Sequence, residues 1–303
     1  MDEDLSTKPS VQKQFLNLFN LAGSLDDGEM KREYLNFYGN LMRASDEYLV
    51  QVLDTLDATG LMDDTVVIRT SDHGEMGLAH GGLRQKNFNV YEEALRVPLI
   101  YSNRRLYHEG RTCDALVSHV DFLPTVASLF GAPERARADW EGVDYSERVL
   151  HPDAGASPQD YVVFTWDDWQ AGQASGPYLP PPNHIVSIRE ERWKLAMYYD
   201  ATGSVEPQWE MYDLLRDPLE RENLAYPGYP RAAEQEAEFV RLQRRLAEVQ
   251  QERLQPLPTT QQSPVVQTPP ALQQLEAALQ SAAASSSSSS SGTGAGGGTG
   301  GGS

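Results

Sequence analysis

Between Thr65 and Asn103 the sequence runs TVVIRTSDHGEMGLAHGGLRQKNFNVYEEALRVPLIYSN, and this stretch constrains the fold more than any other. Val66-Val67-Ile68 is a β-branched run of the kind that fills a strand buried on both faces. It stops at Ser71-Asp72-His73-Gly74, a cluster of polar and metal-competent side chains. A glycine-rich turn around His80, a polar loop carrying Lys86 and a short helix then lead to a second apolar strand, Val97-Pro98-Leu99-Ile100-Tyr101. This order predicts an α/β fold with a mixed, mostly parallel sheet flanked by helices. In open α/β sheets ligands gather beyond the carboxyl ends of the strands, so Asp72, His73 and Lys86 are expected on one rim. A carboxylate, an imidazole and an ammonium together suit an anionic substrate held against a cation.

On either side the periodicity is helical. Tyr34, Tyr38, Leu41, Tyr48, Val52 and Leu56 recur at helical spacing and predict a long amphipathic helix from Glu29 to Ala58, covering one face of the sheet. Residues 1–28 read as a polar lead with one apolar stripe, Val11, Phe15, Leu18 and Phe19, broken by Gly23 to Gly28. Asp121 is placed as the N-cap of a later helix, which puts Pro124 in the first turn and buries Phe122, Val126, Leu129 and Phe130.

After Gly131 the composition shifts to loop. Tyr161–Trp166, Ile185–Arg189 and Arg192–Tyr199 then read as strands, the last two forming a hairpin through Glu190-Glu191. The WEMYDL stretch from Trp209 gives a possible fourth, and Phe239, Leu242, Leu246 and Val249 form a helical stripe that can pack on this small antiparallel sheet. The expected division is a lead over 1–28, part of the α/β domain over 29–150, the antiparallel subdomain with its helix over 151–254, and a disordered low-complexity tail over 255–303.

Composition removes several functions. A formal charge of -19 argues against a nucleic-acid partner, because phosphate binding depends on clustered Lys and Arg and no such block occurs. No GxGxxG or GxxxxGK[ST] loop is present, so nucleotide binding has no support. The one cysteine, Cys113, excludes an internal disulfide framework. With an acidic N-terminus that lacks an apolar segment, and with no membrane span, it leans the localisation toward the cytoplasm.

TSDHGEM after a strand, the glycines around His80, the Lys86 loop and YEEALRVPLI resemble the sulfatases, of the alkaline-phosphatase-like group of metal-dependent ester hydrolases. VSHVDFLPT followed by Leu129-Phe130-Gly131, and WEMYDL with Asp217-Pro218 and Glu220-Arg221-Glu222-Asn223-Leu224, agree with two further motifs in the family's order, over roughly residues 29 to 254. The resemblance implies that Asp72 and His73 contact a divalent cation, commonly calcium. Imidazole suits manganese or another transition metal better. It implies that Lys86 contacts the sulfate. His80 is either a substrate contact or a turn histidine bonded to backbone. His119 and His184 are read as structural or exposed, Trp166-Asp167-Asp168-Trp169 as a strand end with a half-buried tryptophan, and Glu92 and Glu93 as helix surface.

Sulfatases use a formylglycine made from a C/S-x-P-x-R sequence, and none occurs here. Cys113 is followed by Asp114-Ala115-Leu116-Val117, and Ser175 lacks the arginine. The chain therefore resembles the C-terminal portion of a sulfatase, with the formylglycine and the first metal-binding aspartates expected in a missing N-terminal part, and this chain alone is expected to be inactive. The implied function is hydrolysis of small-molecule sulfate esters. A phosphonate or phosphate ester hydrolase of the same group, or an inactive remnant acting as an interaction module, is the alternative. The expected partners are the missing N-terminal half or a second copy of the chain.

Overall fold

Strict alternation of side chains along Trp193–Tyr199 organises the molecule. Trp193, Leu195, Met197 and Tyr199 face one way, Ala196 and Tyr198 the other, and every residue of this strand is buried. A strand covered on both faces needs two layers against it, and the molecule supplies them. The computed structural model describes residues 3–19, 28–133, 139–153, 155–168 and 179–255. The 255–303 tail, the Gly23 to Gly28 break and Trp169 thus fall wholly or almost wholly outside the described residues, as do the side chains of Leu18 and Phe19.

Strands β1 (Val67–Arg69) and β2 (Ile100–Ser102) form a two-stranded sheet. Strands β3 (Tyr161–Trp166), β4 (His184–Glu190), β5 (Trp193–Tyr199) and β6 (Gln208–Asp213) form an antiparallel meander in that order. All four predicted C-terminal strands are present. The β4–β5 hairpin turns through Glu191-Arg192, with Arg189 opposite Lys194 and Ile188 opposite Leu195. Helix Ala233–Arg253 lays Leu242, Leu246 and Val249 on one face of the meander, against Leu195, Met197 and Met211, as its stripe predicted.

The other face is covered by elements from the rest of the chain. Val11 and Phe15 of helix Ser10–Phe19 pack with Met76, Phe88, Val90, Tyr91, Ile185, Tyr198 and Tyr212. This core joins the lead, the loops after β1 and the meander, so it runs across the divisions expected at residues 28 and 150.

The α/β class holds, with one difference in pairing. β1 and β2 run antiparallel, Val67 opposite Ser102 and Arg69 opposite Ile100, and neither sheet contains a parallel pair among the described residues. A parallel neighbour needs a crossover, usually a full helix, whereas this connection holds only the single turns Ala79–Gly82 and Glu92–Leu95. Pro98 offers no ladder N–H, so β2 begins after it.

Helix Gly28–Ala58 has the predicted length, but it buries no residue, and Leu41, Tyr48 and Val52 are exposed. Its amphipathic face was expected to cover the sheet and does not do so among the described residues. Two details of helix Phe122–Leu129 also differ. Phe130 is exposed, and Asp121 does not cap the helix: its carboxylate accepts from the backbone N–H of Ser118 (2.7 Å) and of Val143 (2.8 Å). Both donors lie outside the helix, so the side chain is drawn away from the helix terminus.

Candidate functional site

The loop carrying Asp72 and His73 begins at the end of β1. Its path is fixed at Gly74, whose N–H donates to the Ala94 carbonyl at 2.8 Å. Backbone meets backbone so closely here that a Cβ on Gly74 would lie 1.9 Å from the Glu93 carbonyl oxygen. Gly74→Ala is accordingly expected to cost about 1–3 kcal/mol, the usual range for overpacking, and to displace the loop. Urea denaturation together with the amide shifts of Asp72 and His73 checks this. An unmoved loop would show that the turn Glu92–Leu95 is not its seat.

Within the loop, the Asp72 carboxylate accepts from the His73 N–H at 2.9 Å, and this bond holds its carboxyl below the usual range, so it is ionised at neutral pH. The side chain is otherwise exposed. Nδ1 of His73 lies 2.9 Å from the Gly74 carbonyl, which can only accept, so Nδ1 carries the proton. Nε2 is left 3.4 Å from Asp72 Oδ2. Two donors coordinating one cation at about 2.0–2.6 Å and at right angles stand about 3–3.5 Å apart, so the pair fits adjacent positions in one coordination sphere. A carboxylate and an imidazole suit a divalent cation. Among the described residues no group of three or more His, Cys, Asp or Glu gathers around them.

Lys86 is half-buried in the next loop, and no hydrogen bond or ion pair engages it among the described residues. Its ammonium is thus available to an anion.

His80 is placed differently. It is buried, stacks on Tyr91 at 3.5 Å, and sits between two carboxylates, with Nδ1 3.0 Å from Glu3 and Nε2 3.3 Å from Glu93. Burial alone would lower its pKa. The contacts with Glu3 and Glu93 outweigh burial and raise it. The imidazole therefore clamps the chain's first described residue to the loops after β1, in a left-handed backbone conformation (φ 47°) between Ala79 and Gly81. Glu93, read as helix surface, is this partner. Glu92 pairs at 2.7 Å with the buried ammonium of Lys194, which also meets Glu220 at 2.6 Å and donates to the Val90 carbonyl at 2.8 Å.

A second buried polar group centres on Glu210, which accepts from Tyr198 (2.6 Å), Tyr212 and the Gln12 amide (3.0 Å), while the Tyr91 hydroxyl lies 3.2 Å from it and donates to Gln12 Oε1 at 2.7 Å. Burial, then the Glu210 charge, pushes all three tyrosine hydroxyls well above their usual pKa. Of the remaining histidines, His184 is buried with Nδ1 3.1 Å from Asp167, while His119 sets its Nε2 2.8 Å from the carbonyl of Ser71, next to Asp72. Sequence reasoning passed over His119, since nothing local links it to a loop 48 residues earlier.

Two family models match. The one described as Sulfatase covers residues 6–132, and the one described as N-sulphoglucosamine sulphohydrolase, C-terminal, covers residues 80–252, more than half the chain. The chain belongs to the sulfatase family. It is 30% identical over 197 residues to an N-acetylglucosamine-6-O-sulfatase of Bacteroides thetaiotaomicron, covering 64% of this chain and 32% of that protein. It is 33% identical over 221 residues to the choline-sulfatase of Rhizobium meliloti, covering 72% and 38%. The fold matches a solved structure in complex with its substrate D-glucosamine-2-N,6-O-disulfate with a TM-score of 0.61 at 23% identity, over 78% of this chain and 45% of that one. This sulfatase chain spans about a third of the length of the curated relatives it matches. Glu220 and Asn223 fall inside the second matched region and make structural contacts. The Asn223 amide donates to the carbonyls of Thr7 (2.8 Å) and Trp209 (2.9 Å) and accepts from the N–H of Met211 and Ala225, which ties the lead to β6. No described helix is long and apolar enough to cross a membrane.

Proposed function

We propose that this chain supplies the metal-loop and sulfate-lysine part of a site that hydrolyses sulfuric esters of small molecules. The observation that carries this is the Asp72–His73 pair, with its Nε2 and Oδ2 donors on one side and its tautomer fixed by the Gly74 carbonyl. Asp72 and His73 would hold a divalent cation, calcium by family habit or manganese by the imidazole's preference. When bound, it supplies positive charge to an ester oxyanion. Lys86 neutralises the sulfate from the other loop, which stabilises charge growing on the sulfuryl oxygens. Gly74 keeps the two donors in place by seating the loop on the turn Glu92–Leu95.

Cys113 and Ser175 both lack the C/S-x-P-x-R motif that formylglycine formation needs. The chain by itself is therefore expected to give no turnover of an aryl sulfate. The test is a chimera in which residues 6–252 replace the matching region of the Rhizobium meliloti choline-sulfatase, produced with a formylglycine-generating enzyme. Turnover of sulfate esters is expected, falling about 100-fold or more in Lys86→Ala and in Asp72→Ala. A folded chimera that prefers an aryl phosphonate would favour the phosphonate hydrolase instead. One that turns over sulfate equally well without Lys86 would remove that residue from the site.

A further inference from the structure

We propose that His119 is a positioning residue for the cation site, acting through Ser71, an inference that rests on the assignment of Asp72 and His73 as ligands. Nε2 of His119 lies 2.8 Å from the Ser71 carbonyl oxygen. A carbonyl only accepts, so this nitrogen carries the proton and donates. Ser71 is in turn bonded to both candidate ligands: its hydroxyl donates to the His73 carbonyl at 2.7 Å and reaches Asp72 Oδ1 at 3.3 Å. The imidazole of His119 thus fastens the one residue from which both donors are oriented.

The element that presents His119 is itself rigid. The single 3-10 turn His119–Asp121 is closed by the fully buried Asp121 carboxylate, which accepts from the Ser118 N–H (2.7 Å), the Val143 N–H (2.8 Å) and the Gln159 amide (2.6 Å). A short exposed loop that must keep an imidazole and a carboxylate 3.4 Å apart loses conformational freedom if one end is pinned from outside, and pinning of this kind lowers the cost of closing around an ion. His119 is exposed, so its hydrogen bond rather than burial is its main contribution.

The test uses the full chain, isotope-labelled, with manganese(II) as the probe and paramagnetic broadening of the His73 ring signals as the readout. In the native protein His73 should broaden at lower manganese than His108 or His151. His119→Ala should raise the manganese needed about tenfold, the scale on which loss of an outer hydrogen bond weakens a metal site. His119→Gln, whose amide nitrogen reaches the same carbonyl, should restore binding to within about threefold. Unchanged broadening in His119→Ala overturns the positioning role while leaving Asp72 and His73 as ligands. Failure of His119→Gln to rescue also overturns it, because the donated hydrogen bond would then not be what His119 contributes. No selective broadening of His73 in the native protein sinks the ligand assignment, and the role of His119 with it.

Discussion

Replacing Lys194 by methionine is expected to destabilise the protein by about 3–5 kcal/mol at neutral pH, the cost of stranding buried charge by removing one partner. One ammonium, almost wholly enclosed, compensates two carboxylates, Glu92 and Glu220. Burial holds the Glu220 carboxyl above the usual range even with Lys194 in place. Burial acts the same way on Glu92, but the charge of Lys194 outweighs it and holds that carboxyl low. In Lys194→Met the Glu220 carboxyl would be raised further, while Glu92 keeps Arg189 at 3.4 Å. A group raised in this way gives stability that is fully present below the unfolded value and lost as pH rises through the folded one. The deficit of the variant should therefore be largest near about pH 8 and shrink toward about pH 5, as protonation removes the stranded charge. Urea denaturation of both proteins across that range decides it, and a deficit independent of pH would mean that lost packing, not charge, sets the cost.

Glu210→Ala is expected to cost a similar amount, about 3–5 kcal/mol, because the buried hydroxyls of Tyr198 and Tyr212 and the Gln12 amide lose their acceptor and a cavity opens beside them. The damage should not stay in the meander. Gln12 belongs to helix Ser10–Phe19, so amide-exchange protection there should fall with the global stability. Glu210→Gln, which keeps the volume and one acceptor, should recover part of the loss. An alanine variant within 1 kcal/mol of the native protein, taken as a rough threshold from typical surface substitutions, would show that water replaces the carboxylate.

Local pattern revealed much of this architecture. Apolar and aromatic runs marked three of the meander strands and a possible fourth, and the Phe239, Leu242, Leu246 and Val249 stripe marked the helix beneath them, because each is written into neighbouring residues. The Asp72–His73 loop was legible for a different reason: a β-branched run that ends in polar, metal-competent residues is a chemical statement in itself. What stayed hidden depends on partners distant in sequence. Glu92 and Glu93 look like helix surface until Lys194 and His80 are brought against them, and His119 looks idle until β1 delivers Ser71. The amphipathic face of Gly28–Ala58 shows that an apolar stripe exists, not what lies against it. The antiparallel pairing of β1 with β2 was not legible, because an apolar strand carries no mark of its neighbour's orientation.

The buried anchorage of the lead has a consequence for how the chain is made. Lys8 donates to the hydroxyl of Tyr212 and to the carbonyl of Glu220, groups 204 and 212 residues further on. A ribosome adding about 5–20 residues per second takes roughly 10–40 s to deliver them. Throughout that interval the ammonium has only its sequence neighbour Glu3 to pair with. The last strand of the meander therefore acts as a latch. Only when it emerges can the lead dock, so its burial couples two segments more than 200 residues apart.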